Sequence, residues 1–221
     1  MKGLLIKDLR LLMNQGKVLI LMLVAVAAFL YIAGAANPSF VVSYITIVFS
    51  FFTASTISYD EYDNCYLFLM TLPVTRKKYV DEKYLYGFLT TIGAWLVAMA
   101  VGTVILAVGS EKIDAAEWIG GGTVCVMVAW VFLSIMIPIK LKFEGEKARY
   151  VNLIMIGAGC FIVFVGTKVL EYMPKQILER GISFFAGLGN GSLLLISAVI
   201  TAAAAGISYL CSRRIMKKKE F

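Results

Sequence analysis

Long apolar runs alternate with short knots of charge along this chain. An α-helix rises 1.5 Å per residue, so roughly 20 mostly apolar residues are needed to cross the hydrocarbon core of a bilayer. Six stretches meet that requirement: 18–36 (closed by Asn37-Pro38), 40–58, 84–108, 118–139, 150–170 and 192–211. The pattern predicts an all-α, polytopic membrane protein, one permease-sized domain over 1–221 with six transmembrane helices. Residues 1–17 read differently. At about 100° per residue, Leu5, Ile6, Leu9, Leu12 and Met13 share one face, and Lys7, Asp8, Arg10, Asn14 and Gln15 the other. Leu4 and Leu11 intrude on the polar face. This predicts an N-terminal helix lying in the membrane interface ahead of the first span. Ala33-Gly34-Ala35 resembles a signal-peptide cleavage site, but so long and helical a leading segment favours a retained span.

Composition agrees. Of 221 residues, 60% are hydrophobic and 16% charged, where a soluble domain is nearer half and a quarter. The net charge of +7 could signal nucleic acid, but the basic residues flank the spans instead of forming a soluble basic face. Their distribution sets the orientation: 17 of the 21 lie on one side of the six spans and 4 on the other. By the positive-inside rule the rich side, with both termini, is cytoplasmic. The chain has no histidine, which excludes HExxH zinc proteases, Ser-His hydrolases and His-ligated haem. Cys65, Cys125, Cys160 and Cys211 have neither zinc-site nor disulfide-scaffold spacing and read as packing residues. We therefore expect no catalytic or metal site.

The segment between spans two and three, 59–83, is the most unusual. Asp60, Glu61 and Asp63 come first. A short apolar and aromatic helix follows, over about 62–71, with Tyr62, Tyr66, Leu67, Phe68, Leu69 and Met70. Leu72-Pro73 breaks it, and Thr75 can cap a new helix that carries Arg76, Lys77 and Lys78 into span three. Such side chains are costly to leave in water, so the loop helix packs on its own protein, on lipid, or in a soluble partner.

The acidic exit from span two, the aromatic helix, Leu72-Pro73-Val74-Thr75-Arg76-Lys77-Lys78-Tyr79-Val80 and Lys83-Tyr84-Leu85 together resemble the permease subunits of ABC-2 type transporters. The Lys7-Asp8-Leu9 entry helix and the six-span plan extend that resemblance over the whole chain. Within the superfamily, the short form is similar to permeases of bacterial peptide exporters, such as those for phenol-soluble modulins. The resemblance implies a bacterial cytoplasmic-membrane exporter in which two permease copies, identical or paired homologues, each sit on an ABC ATPase subunit. It makes 62–71 a coupling helix seated on the ATPase. Asp60, Glu61, Tyr62, Tyr66, Leu67, Phe68, Leu69, Leu72, Pro73 and Arg76 are then the candidate coupling residues. The loop from Lys140 to Arg149 would make a smaller contact, or is a solvated turn. No GxxxxGK[ST] loop occurs, since Gly120-Gly121-Gly122 lacks the lysine; this chain is expected to bind no cofactor, with ATP and Mg on the partner.

Spans two and five face the dimer partner in the family resembled. Span two carries Ser43, Thr46, Ser50 and Thr53 at helical spacing, one hydroxyl stripe; span five carries Asn152. These are the candidate path residues, suited to an amphipathic peptide or lipid-like substrate, and equally the residue types that let membrane helices pack closely. The loop from Glu171 to Gly191 reads as amphipathic and stands where that family has an external gate. Every acidic residue falls outside the six spans, which counts against an ion-coupled carrier. That carrier, and a membrane scaffold recruiting a soluble partner through 62–71, are the alternatives.

Overall fold

The computed structural model describes residues 2–32, 38–61, 75–109, 114–143 and 190–218, together with isolated helical positions 150, 157, 161, 164, 165 and 168. Five long helices make up the continuous stretches: α1 (Lys2–Ile32), α2 (Pro38–Glu61), α3 (Arg76–Gly109), α4 (Ala115–Lys142) and α5 (Asn190–Lys218). No strand occurs among the described residues.

Four helices hold segments long and apolar enough to cross a membrane: Pro38–Asp60, Arg76–Ala107, Ala115–Lys142 and Gly191–Lys218. They correspond to expected spans two, three, four and six. Spans one and five, 18–36 and 150–170, lie mostly outside the residues whose side chains are described. Each of the four helices runs past its expected apolar limits. A charge ends an apolar run but not a helix, because the i→i−4 ladder continues as long as the side chains find partners. Thr75 caps α3 as its position predicts: its Oγ1 accepts from the Lys78 backbone N at 3.4 Å and its carbonyl from Tyr79 N at 3.1 Å.

Residues 2–17 are helical, as expected, but α1 continues unbroken through 17 into the expected first span. Its faces are also used unexpectedly. Leu4 and Asp8 are buried against the bundle, and Gln15 donates to the Tyr59 hydroxyl at 2.6 Å. Ile6, Leu9 and Met13 point away. Arg10 and Asn14 are exposed as well, so only the part of the polar face that carries Leu4, Asp8 and Gln15 packs on protein, and Ile6, Leu9 and Met13 are left for lipid.

Helix α2 is central, packed on both α3 and α4, while α5 lies along α4. Half of the apolar window of α2 is buried, against 11% of that of α5. Two clusters mark the two ends of the bundle. One joins Leu4, Ile57, Tyr79, Val80, Leu133, Ile137, Leu141 and Met216. The other joins Val42, Ile45, Ala94 and Ala98, with Trp95, Met99 and Trp118 packed on it. Within the first cluster, beside Ile137, Pro138 breaks one rung of the α4 hydrogen-bond ladder. Its ring nitrogen cannot donate to the Ser134 carbonyl four residues back. Ser208 of α5 donates to that carbonyl instead, which ties α5 to α4 where the ladder is broken.

Candidate coupling site and translocation path

On α3, Tyr79, Lys83 and Tyr86 recur at spacings of 4 and 3, so they share a face, and all are fully buried. On α2, Thr53, Thr56, Ile57 and Asp60 do the same. Asp8 is brought against both by Leu4, one turn earlier on α1. Where the three faces meet, they form an ion cluster. Asp60 pairs with Lys7, lies 2.8 Å from Lys83 Nζ, and accepts from the Tyr79 hydroxyl at 2.9 Å. Lys83 also pairs with Asp8 and reaches Thr56 Oγ1 at 3.3 Å. Lys7 lies 3.3 Å from Asp8, whose backbone carbonyl accepts from Tyr86 Oη at 3.3 Å.

Glu82 belongs to the same cluster but is partnered differently. It is fully buried, its only ion pair among the described residues is a 3.9 Å approach to Lys83, and neither carboxylate oxygen has a hydrogen-bond donor. Three carboxylates (Asp8, Asp60, Glu82) thus face two ammonium groups (Lys7, Lys83). Burial strips water from Asp8, Asp60, Glu82 and Lys83, while Lys7 stays partly exposed at the edge, so the paired members become strongly interdependent.

The cluster sits at both roots of the expected coupling loop. Asp60 is the penultimate residue of α2, and Lys83 stands two turns into α3. A second set of contacts fixes the α3 root against α5. Arg76 Nη1 donates to the carbonyls of Met216 at 3.4 Å and Lys217 at 3.2 Å, in the last turn of α5. Those carbonyls have no intrahelical donor, and a cation is favoured at a helix C-terminus. Above it, Tyr209 Oη donates to Asp81 at 2.6 Å, Arg213 approaches Asp81 at 3.6 Å, and Tyr84 Oη bonds both Ser208 and Ser212. Lys140 Nζ of α4 donates to Ser58 Oγ at 2.9 Å.

Of the candidate coupling residues, then, Asp60 and Arg76 face inward and hold the loop's roots. Glu61 ends α2 and its side chain is not described. Tyr62, Tyr66, Leu67, Phe68, Leu69, Leu72 and Pro73 lie outside the described residues. So does Asn152 among the path candidates. The hydroxyl stripe is described in full. Thr46, Ser50 and Thr53 are buried and Ser43 is half-buried, all turned toward α3 and α4. Each hydroxyl donates to the carbonyl four residues back, at 2.8–3.3 Å. Thr53 also meets Thr90 at 2.8 Å, and Ser43 meets the Cys125 thiol at 3.2 Å. In this arrangement the stripe is a packing seam, closed to solvent at Thr46, Ser50 and Thr53 and partly open at Ser43. Among the described residues no group of carboxylates and thiols has the geometry of a metal site.

Sequence reasoning missed the cluster because its members come from three separated segments. One signal was available: Leu4 on an otherwise polar face marks that face as buried, and Asp8 lies one turn further along it.

A family model describing ABC-2 family transporter proteins matches residues 3–217. The chain belongs to that family. This ABC-2 permease is a multi-pass membrane protein and the transport component of an ABC system, whose family implies an ABC ATPase as partner. Neither the curated proteins nor the solved structures compared with the permease give a match.

Proposed function

We propose that this permease is the membrane half of an ATP-driven exporter that moves an amphipathic peptide or lipid-like substrate out of a bacterial cell. It works as a dimer, with both termini in the cytoplasm and with ATP and Mg held by the partner ATPase. The observation that carries the reading is the family match over nearly the whole chain.

The geometry at the basic end fits the role. A loop that receives force must be fixed to the helices it moves. Here the α2 root is held by the ion cluster, and the α3 root by that cluster and by Arg76 on α5. Tyr62, Tyr66, Leu67, Phe68 and Leu69 would engage the ATPase. A push on them would pass through Asp60 and Lys83 to α1, α2 and α3 as one unit. The hydroxyl seam would become a path when α2 parts from α3 and α4, exposing Ser43, Thr46, Ser50 and Thr53.

The test is purification of the permease with the ATPase it recruits, followed by transport into inside-out vesicles. ATP-dependent uptake, lost when Leu67 and Phe68 are both replaced by Asp although the chain still inserts, is the expected result. Uptake driven by an ion gradient without nucleotide would replace this reading with the carrier, and an unaltered complex in the double variant would remove 62–71 from the coupling role.

A further inference from the structure

Glu82 is the member of the ion cluster whose burial its bonding does not explain. Its side chain is fully buried, yet neither Oε1 nor Oε2 receives a hydrogen bond. Its one ion pair among the described residues is the 3.9 Å approach to Lys83, the next position on the same helix. The Lys83 ammonium has three N–H donors, and all three have nearer acceptors. It pairs with Asp8, lies 2.8 Å from Asp60 and reaches Thr56 Oγ1 at 3.3 Å. The other donors of the cluster are engaged elsewhere too. Lys7 pairs with Asp60 and Asp8, Tyr79 Oη donates to Asp60, and Tyr86 Oη donates to the Asp8 carbonyl.

The charges tell the same story. Those that act on Glu82 are Lys83 beside it, Asp8 and Lys7 of α1, and Asp60 of α2. Among the described residues no charged group of α4 or α5 pairs with it. Asp8 and Asp60 already balance Lys7 and Lys83, two against two. An ionised Glu82 would add a fifth charge with no counterpart and no hydrogen bond, in a place that water does not reach. Burial of that kind favours the neutral form of a carboxyl.

We propose that Glu82 holds a proton while α1, α2 and α3 are packed together, and that the basic end is thereby a pH-sensitive lock. The proton keeps the cluster electrically balanced, and its loss loosens the roots of the segment between α2 and α3. The direction follows from proton counting. When the helices part, Glu82 meets water, where a glutamate titrates at about 4.3. Above that pH the packed bundle binds one proton more than the opened one. Rising pH therefore weakens the packed state, until the packed state gives up the proton as well. The use of the lock in transport rests on the exporter reading, in which these roots carry force from the ATPase. The proton linkage itself needs no ATPase.

The test uses the purified full-length permease in detergent, titrated from about pH 5 to about pH 8, a range above the ordinary glutamate value. Infrared difference spectra between the wild type and Glu82→Gln should show the carbonyl stretch of a protonated carboxyl at about pH 6, lost as the pH is raised. The thermal midpoint of the wild type should fall over the same interval. That of Glu82→Gln, which is close to isosteric with the protonated acid, should match it at the acid end and exceed it at the alkaline end. Asp8→Asn leaves two carboxylates facing two ammonium groups, so the band should disappear about one pH unit lower, a tenfold loss of proton affinity. The wild-type spectrum alone decides the first point: no protonated carboxyl at about pH 6 would overturn the proposal. So would a band that persists in Glu82→Gln, or midpoints of the two proteins that run parallel with pH. ATP-driven uptake without this proton linkage would sink the lock and leave the exporter reading standing. A titrating Glu82 in a chain whose uptake needs no nucleotide would do the opposite.

Discussion

The two ends of the bundle are held together by opposite means. At the basic end, charged and hydroxyl groups from α1, α2, α3 and α5 are cross-linked by ion pairs and hydrogen bonds. At the far end, α2, α3 and α4 meet through glycine, alanine, methionine and tryptophan, with almost no polar contact and with a cavity left open. A directional network resists shear, because each bond has a preferred geometry. Apolar packing is non-directional, so helices joined by it can slide at lower cost. In the exporter proposed above, the difference would suit a lever, with its rigid end at the roots of the segment between α2 and α3 and its adaptable end opposite.

The largest effect should come from taking one cation out of the rigid end. Lys83→Met leaves the buried Asp8 and Asp60 with only the half-buried Lys7 as counter-charge. It should cost about 3–5 kcal/mol, read as a lowered thermal midpoint in detergent. A shift as small as that of a surface lysine would break the contrast between the ends. Glycines at the far end come next. Gly102→Ala places a methyl against the Trp118 ring and should cost about 1–3 kcal/mol. Gly93→Ala, on the same helix with nothing within 4 Å, should instead stabilise by about 0.5–1 kcal/mol. If both glycines respond alike, the close approach at Gly102 is not what fixes α3 on α4.

Two smaller changes sharpen the picture. Thr75→Ala removes the cap of α3 at the loop's root and should cost about 1 kcal/mol. Glu82→Gln should leave the thermal midpoint unchanged or raise it, because it deletes the one carboxylate in the cluster that no donor satisfies. A clear loss of stability in that variant would show Glu82 to be a working member of the network. Thermal unfolding of the paired variants, Glu82→Gln against Lys83→Met, makes the comparison within one turn of one helix.

Much of the helix plan was legible from the chain. Runs of apolar residues of bilayer length allow little besides helix, because every backbone group must be satisfied within its own segment. Four of the expected spans correspond to candidate membrane helices, and Thr75 stands where a cap was expected. The faces of those helices were less legible. The hydroxyls of Ser43, Thr46, Ser50 and Thr53 read equally as path or as packing, and the choice depends on what lies opposite them. The structure places Thr90, Cys125 and Gly87 there. Asp60 read as part of an acidic cluster ahead of the coupling helix and not as an inward ion-pair partner, because Lys7 and Lys83 lie 53 and 23 residues away in the sequence.

The sequence by itself determined that this protein crosses a membrane several times and where the Leu-Pro-Val-Thr-Arg-Lys-Lys segment of an ABC-2 permease stands. Those properties depend on hydrophobicity, charge and order along the chain, which need no knowledge of neighbours. Tertiary structure alone decided that Leu4 and Asp8 of α1 turn inward, that Asp8, Asp60, Glu82 and Lys83 share one buried site with Lys7 at its edge, and that Trp118 and Glu117 line a cavity. Those depend on which helices lie side by side, a relation that periodicity within a single segment does not encode.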